Sequence, residues 1–265
     1  MLMSQPRHTP ITTPQAPPAA RPGKVGRPRK SALPETGALG RERIFQAALA
    51  LIDAQGLAAF GIRGLATQLG VAPAAIYWHV ASREDLVYGA LSIALADVAQ
   101  AMPPGSWQLR IQTVLRRFRA TLRQHPHLAP AVANELGCNA TLDTALMEHI
   151  VAALEEAHFD GQALVDAVNV VVAAMCGFAT LELSTAPAGP DSAWGQACRA
   201  QVEGIDPARC PALARHQSEL ANHAFLMRWT GGMDNPLDTG FEAWVDVLIG
   251  GLEARSRVLL EARES

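Results

Sequence analysis

FGIRGLATQLGVAPAAIYWHVASR, residues 60–83, sets two short apolar periods on either side of a glycine-containing turn. Ile62, Leu65, Ala66 and Leu69 fall on one face of a short helix, with Gly61 as its N-cap and Gly70 as its stop. After the turn Gly70-Val71-Ala72, Pro73 stands at the first position of another helix ending near His79. Two short helices joined this way form the helix-turn-helix layout. The first would buttress through Leu65, Ala66 and Leu69. The second would present its first turn, Pro73, Ala74 and Ala75, to a major groove. Tyr77 offers a phenol and Arg83 a guanidinium to phosphates. A plain helical hairpin is the competing reading. The small residues at the presented turn and the basic segment before it favour DNA binding.

Working outward, Ile44, Ala48, Leu51 and Ile52 make the stripe of a preceding helix ending at Gly56. Ser82-Arg83-Glu84-Asp85 resembles a capping box that opens a fourth helix running toward Ala101. Pro103-Pro104-Gly105 breaks the pattern and marks an expected domain boundary. Beyond it, Ile111, Val114, Leu115, Phe118 and Leu122 form one stripe, leaving Arg110, Arg116, Arg117, Arg119 and Arg123 largely on a solvated face. Leu142, Leu146, Ile150 and Leu154 form another stripe. Ala163–Leu183 is apolar nearly all round, which predicts a helix covered on two sides. Residues 184–211 read as a long loop, followed by helices at about 212–229 and 238–260. No stretch alternates as a strand does, so the expected fold class is all-α.

The whole chain has 265 residues, 49% hydrophobic and 18% charged, with net charge −3. That excludes a wholly disordered chain, a collagen-like repeat and a small disulfide scaffold. The charge is unevenly spread: residues 1–90 carry +5 and residues 91–265 carry −8. The basic third points to an anionic partner such as nucleic acid. Cys138, Cys176, Cys198 and Cys210 are far apart and read as reduced thiols. Residues 1–35 lack the apolar core of a secretory signal, and Ala163–Leu183 contains Asp166, Asn169 and Glu182. A cytoplasmic protein without a membrane partner is expected. Residues 1–39 are proline-rich with no helical period, and read as a disordered basic tail. Within it, Val25–Lys30 resembles the core of an AT-hook. Arg27, Arg29 and Lys30 would enter a minor groove, or else attract phosphates generally.

Residues 41–90, with LATQLGV and IYWHVASREDL, resemble the DNA-binding domain of TetR-family transcriptional regulators, and Tyr77-Trp78-His79-Val80 resembles the Tet repressor branch. The similarity extends more weakly over 106–184 and 238–255. It implies a DNA-binding domain at 40–101 including the linking helix, and a ligand-binding and dimerisation domain at 106–265. A homodimer would sit on a pseudo-palindromic operator until a small-molecule inducer released it. Carried over by position, Arg63, Pro73, Ala74, Ala75, Tyr77, Arg83 and, less distinctly, His79 would face DNA. Trp78 and Val80 would pack as core anchors. Gly61 stands where the family often has a hydroxyl, and Gly64 where a polar residue is common.

No G-x-S-x-G, H-E-x-x-H, P-loop or G-x-G-x-x-G occurs, so an enzyme is not expected. His125-Pro-His127 has too few ligands for a metal site, and neither metal nor cofactor is expected. His125 nevertheless falls near where the resemblance would place a metal-chelated drug, an alternative to a mainly apolar ligand. A helical DNA-organising protein without inducer is the other alternative. The expected pocket draws on Phe118, His125, Met147, Met175 and Phe178, with Asn169 and Glu182 as polar handles. Leu95 and Val98 of the linking helix should touch it, and bulk at Ala174 should project into it. Dimerisation is expected through Ala163–Leu183 and Asp238–Leu260, where Gly250-Gly251 permits close approach.

Overall fold

The computed structural model describes residues 39–132, 144–184 and 191–264. These described residues group as one compact unit. The described residues are helical, without strands, and fall into α1 (Arg41–Gln55), α2 (Ile62–Leu69), α3 (Pro73–Tyr77), α4 (Arg83–Leu95) and α5 (Trp107–Gln124), followed by α6 (Thr144–Glu156), α7 (Gly161–Glu182), α8 (Ala193–Glu203), α9 (Pro211–Arg215), α10 (Gln217–Leu220) and α11 (Asp238–Glu264).

The local signals act as read. Gly56 (φ 82°) and Gly70 (φ 69°) take positive φ, the conformation only glycine adopts freely, and close α1 and α2. Ser82 Oγ accepts from the Asp85 amide at 3.1 Å, and the Asp85 carboxylate accepts from the Ala81 amide at 2.8 Å. This capping box is displaced by one residue. Ile44, Ala48 and Ile52 of α1 are buried, and α1 lies along α4. The approach is close at Gly89, where a Cβ would collide with the Phe45 ring.

Four expectations change. The linking helix stops at Leu95 rather than Ala101, and residues 96–99 form turns. The loop expected at 184–211 contains α8, opened by Ser192, whose hydroxyl accepts from the Gly195 amide. The single helix expected at 212–229 is broken into α9, α10 and a 3-10 turn at Phe225–Met227. Asn222, at φ 62°, lies between them. Its side-chain oxygen accepts from Trp229 N, Thr230 N and Thr230 Oγ1, so backbone groups are satisfied locally rather than by a helical ladder. Finally, Arg119 is not on a solvated face: it is buried and paired with Glu182. Leu142 lies outside the described residues.

The break at Pro103-Pro104-Gly105 is a break in helix, not in packing. A single buried cluster runs from Ile44 through Leu95, Val98 and Phe118 to Leu252. Arg117 donates to the Gln100 and Ala101 carbonyls, tying α5 to the connecting segment. His125 Nδ1 donates to Asp53 Oδ2 at 2.8 Å, and His127 Nδ1 reaches the Ile52 and Asp53 carbonyls at 3.1 Å. The end of α5 is thus clasped to the end of α1.

α7 is long and apolar enough to span a membrane by length and composition. Here one face, with Val171, Met175 and Phe178, enters the core. The opposite side leaves Val165 and Val170 exposed, so within one chain this helix is covered on one side only. α11 divides likewise: Phe241, Val245, Ile249 and Leu252 point inward. Trp244, Val247 and Leu248 border a cavity of about 550 Å³ against Ala163, Ala167, Val170 and Ala174 of α7.

Candidate nucleic-acid interface and effector region

α2 has Leu65 and Ala66 turned inward and Arg63, Thr67 and Gln68 outward. The αL conformation at Gly70 lets its amide reach the Ala66 and Thr67 carbonyls, and the Val71 amide also returns to Ala66. The chain therefore turns within three residues. Ala72 is extended, Pro73 opens α3, and Ile76, fully buried, pins it down. Pro73 and Ala74 lie exposed at the start of α3, Ala75 is half-buried, and Tyr77 is exposed. This face has little side-chain bulk at its first turn, so a groove wall can approach the backbone closely. Its chemical offer is methyl contact, one exposed guanidinium at Arg63 and one phenol at Tyr77.

Trp78 corrects the expectation of a core anchor: it is 87% exposed. The reason is helical phase. Ile76 and Val80, four residues apart, share the inward face and both are buried. At about 100° per residue, position 78 faces the opposite side. The indole therefore belongs to the outward surface with Tyr77, while His79 is half-buried. Arg83 also differs from its expected role. Its Nε donates to Phe60 O at 3.1 Å and its Nη2 to Leu57 O at 2.8 Å, with the guanidinium over the Phe60 ring. It fastens the α1–α2 loop to the start of α4. Arg27, Arg29 and Lys30 lie outside the described residues.

None of the expected ligand residues lines the α7–α11 cavity. Phe118, Met175 and Phe178 are buried, Met147 is half-buried and Asn169 is exposed. Asn169 lies on the uncovered side of α7, so it is no handle for an internal pocket. Phe178 meets Phe225 and Phe241 edge-on at centroid distances of 5.1 and 5.3 Å. His125 is turned to Asp53 on α1. Ala174 borders the α7–α11 cavity rather than the interior around Phe118 and Met147.

Glu182, expected as a ligand handle, is already consumed. Its Oε2 accepts from Arg119 Nε at 2.7 Å. Its Oε1 accepts from Arg119 Nη2 at 2.6 Å and the Leu237 amide at 2.8 Å, with Arg123 Nη1 at 3.5 Å. Arg119 also reaches Asp238 and lies 4.6 Å over the Phe241 ring. Burial alone would raise the Glu182 carboxyl. The Arg119 and Leu237 hydrogen bonds overcome it and hold the group below the ordinary range. The sequence offered one missed signal: Arg119 is spaced four residues from Leu115 and three from Leu122, close enough to the apolar stripe to turn inward. Among the described residues no group of three or more His, Cys, Asp or Glu side chains could hold a metal ion.

Comparison with known proteins places this geometry. Residues 44–88 match the family model for bacterial regulatory proteins of the tetR family, and residues 101–255 match the tetracyclin repressor-like C-terminal domain. An HTH-type transcriptional regulator of Saccharopolyspora erythraea is 31% identical over 46% of this chain. The match spans 51% of that relative. The Streptomyces coelicolor TetR family protein ActR, solved with actinorhodin, has a similar fold with TM-score 0.64 at 20% identity, covering 82% of this chain and 96% of that one. BioQ, solved with its double-stranded DNA operator, aligns at 25% identity and TM-score 0.51, over 56% of this chain and 88% of that one.

Proposed function

The chain belongs to the tetR family of bacterial regulatory proteins, and from that premise we propose that it acts as a homodimeric repressor. It would hold a pseudo-palindromic operator until a small, mainly apolar ligand releases it. The observation that carries this reading is the outward face of α2 and α3: a small, exposed first turn on α3, anchored from behind by Ile76. BioQ in complex with its operator, and ActR in complex with actinorhodin, support the two halves of the reading by likeness.

The uncovered α7–α11 cavity supports the dimer. Apolar helix faces exposed on one chain are stabilised by a second copy, and the matching patch on both partners makes a two-fold arrangement self-consistent. The ligand would act by binding one spacing of the paired recognition helices better than the other. The test is selection of bound sequences from a random duplex pool, with sedimentation of the complex. An inverted repeat with half-sites about 34–36 Å apart and two chains per duplex is expected. Enrichment of no sequence, or of unpaired half-sites bound by one chain, would overturn it.

A further inference from the structure

Around Glu182 the guanidinium donors outnumber their acceptors. Arg119 alone, with the Leu237 amide, already saturates the carboxylate with close hydrogen bonds. Two further arginines lie near the same charge, Arg123 in contact with it and Arg228 bonded to the segment that leads to Leu237. Arg123 comes from the last turn of α5 and makes one long contact of 3.5 Å, its side chain 28% exposed. Arg228 comes from the segment following the 3-10 turn. It gives Nη2 to the Asn235 carbonyl at 2.6 Å, while its Nε is shut from solvent without any acceptor. Asp238 is already taken by Arg119 and is largely solvated, and Glu242 is paired with Arg116. Among the described residues three guanidiniums thus gather around one buried carboxylate, two of them in contact with it. An orphaned buried donor and an excess of positive charge are both costly without an anion. Phe225, three residues before Arg228, packs edge-on against Phe178, which in turn meets the Phe241 ring that Arg119 covers, so an aromatic group adjoins the cluster.

We propose that Arg123 and Arg228 form the polar end of an effector site, and that they recognise a carboxylate carried on an apolar, ring-containing body. The planar guanidinium fork matches a carboxylate in geometry as well as charge, so a neutral amide of the same shape is a poor substitute. The proposal deepens the ligand-responsive reading above, on which it rests, by naming the ligand's chemical class. It also assigns a consequence to binding: the carboxylate would tie the end of α5 to the segment around Arg228.

The test uses the full chain with two probes of equal shape, 1-naphthoate and 1-naphthamide, in calorimetric titration at constant ionic strength. Naphthoate is expected to bind at least tenfold more tightly than naphthamide. Arg228→Gln and Arg123→Gln should each remove that preference, whereas Arg263→Gln, at the far end of α11, keeps it. Circular dichroism verifies folding of each variant, and Arg228→Lys serves as a second probe, since it keeps the charge but loses the fork. Equal binding of the two probes, absence of naphthoate binding up to its solubility limit, or a preference unchanged in Arg228→Gln and Arg228→Lys overturns the proposal. Operator affinity of the unliganded protein is measured separately. Its loss would overturn the repressor reading while leaving the carboxylate site standing.

Discussion

Arg119 and Glu182 show how much one buried pair decides. Neither can be removed alone without stranding the other's charge. Glu182→Gln is expected to cost about 3–5 kcal/mol, read from urea unfolding. The double change Arg119→Met with Glu182→Leu should cost less than the two single changes added together, because they share one ion pair. The acid dependence follows from the carboxyl being held below its ordinary value of 4.5. The native state then binds a proton less readily than the unfolded chain. The stabilisation is full above that ordinary value and drains away as the pH falls below it and through the lower value of the folded state. Wild type should lose melting temperature more steeply on acidification below about pH 4.5 than Glu182→Gln does. The cysteines give a second residue-level contrast. Burial pushes the Cys176 thiol up to about 11, while Cys210 is exposed. In a Cys138→Ser background, a thiol reagent at pH 8 should modify Cys210 rapidly and Cys176 only on unfolding.

At the scale of elements, α1 to α3 were legible in sequence because each signal there is local: glycines at positive φ, a proline at a first turn, apolar residues four apart. The misread positions are those where phase or tertiary partners decide. Trp78 looked like an anchor because it is large and aromatic, yet a helix of five residues has room for a single inward position, and Ile76 occupies it. Arg83 looked like a phosphate ligand because sequence does not reveal the Leu57 and Phe60 carbonyls that claim it. The broken segment 211–227 misled because Asn222 satisfies backbone groups that periodicity assigned to a helix. Trp78→Ala should change unfolding free energy by less than about 0.5 kcal/mol yet weaken operator binding several-fold in a mobility-shift assay. Wild-type fluorescence, compared with Trp78→Phe, should show the indole change on adding operator. Gly89→Ala should destabilise by about 1–3 kcal/mol through overpacking against Phe45. Part of that stability should return in the double variant with Phe45→Leu.

At the scale of the whole molecule, the α2–α3 face and the α7–α11 cavity are both open among the described residues. Leu248 borders the second. On the dimer proposed above, Leu248→Glu should leave the helical spectrum intact and shift sedimentation to monomer, since an unpaired charge in an apolar interface costs several kcal/mol. A persisting dimer would mean that the copies meet elsewhere. Few base-reading side chains stand on α3, so much of the DNA affinity should be ionic. Removing residues 1–39 should flatten the dependence of operator affinity on salt by nearly one unit for each phosphate that the tail neutralises. The clasp between α5 and α1 bears on a different matter, the exchange of parts among relatives. A chimera cut at Pro103-Pro104 follows the gap between helices but severs a fit: Asp53 would travel with one parent and His125 and His127 with the other. Grafts that transplant this DNA-reading head should therefore remain responsive to their new effector half only when the histidine segment is carried along, making the functional module discontinuous in sequence.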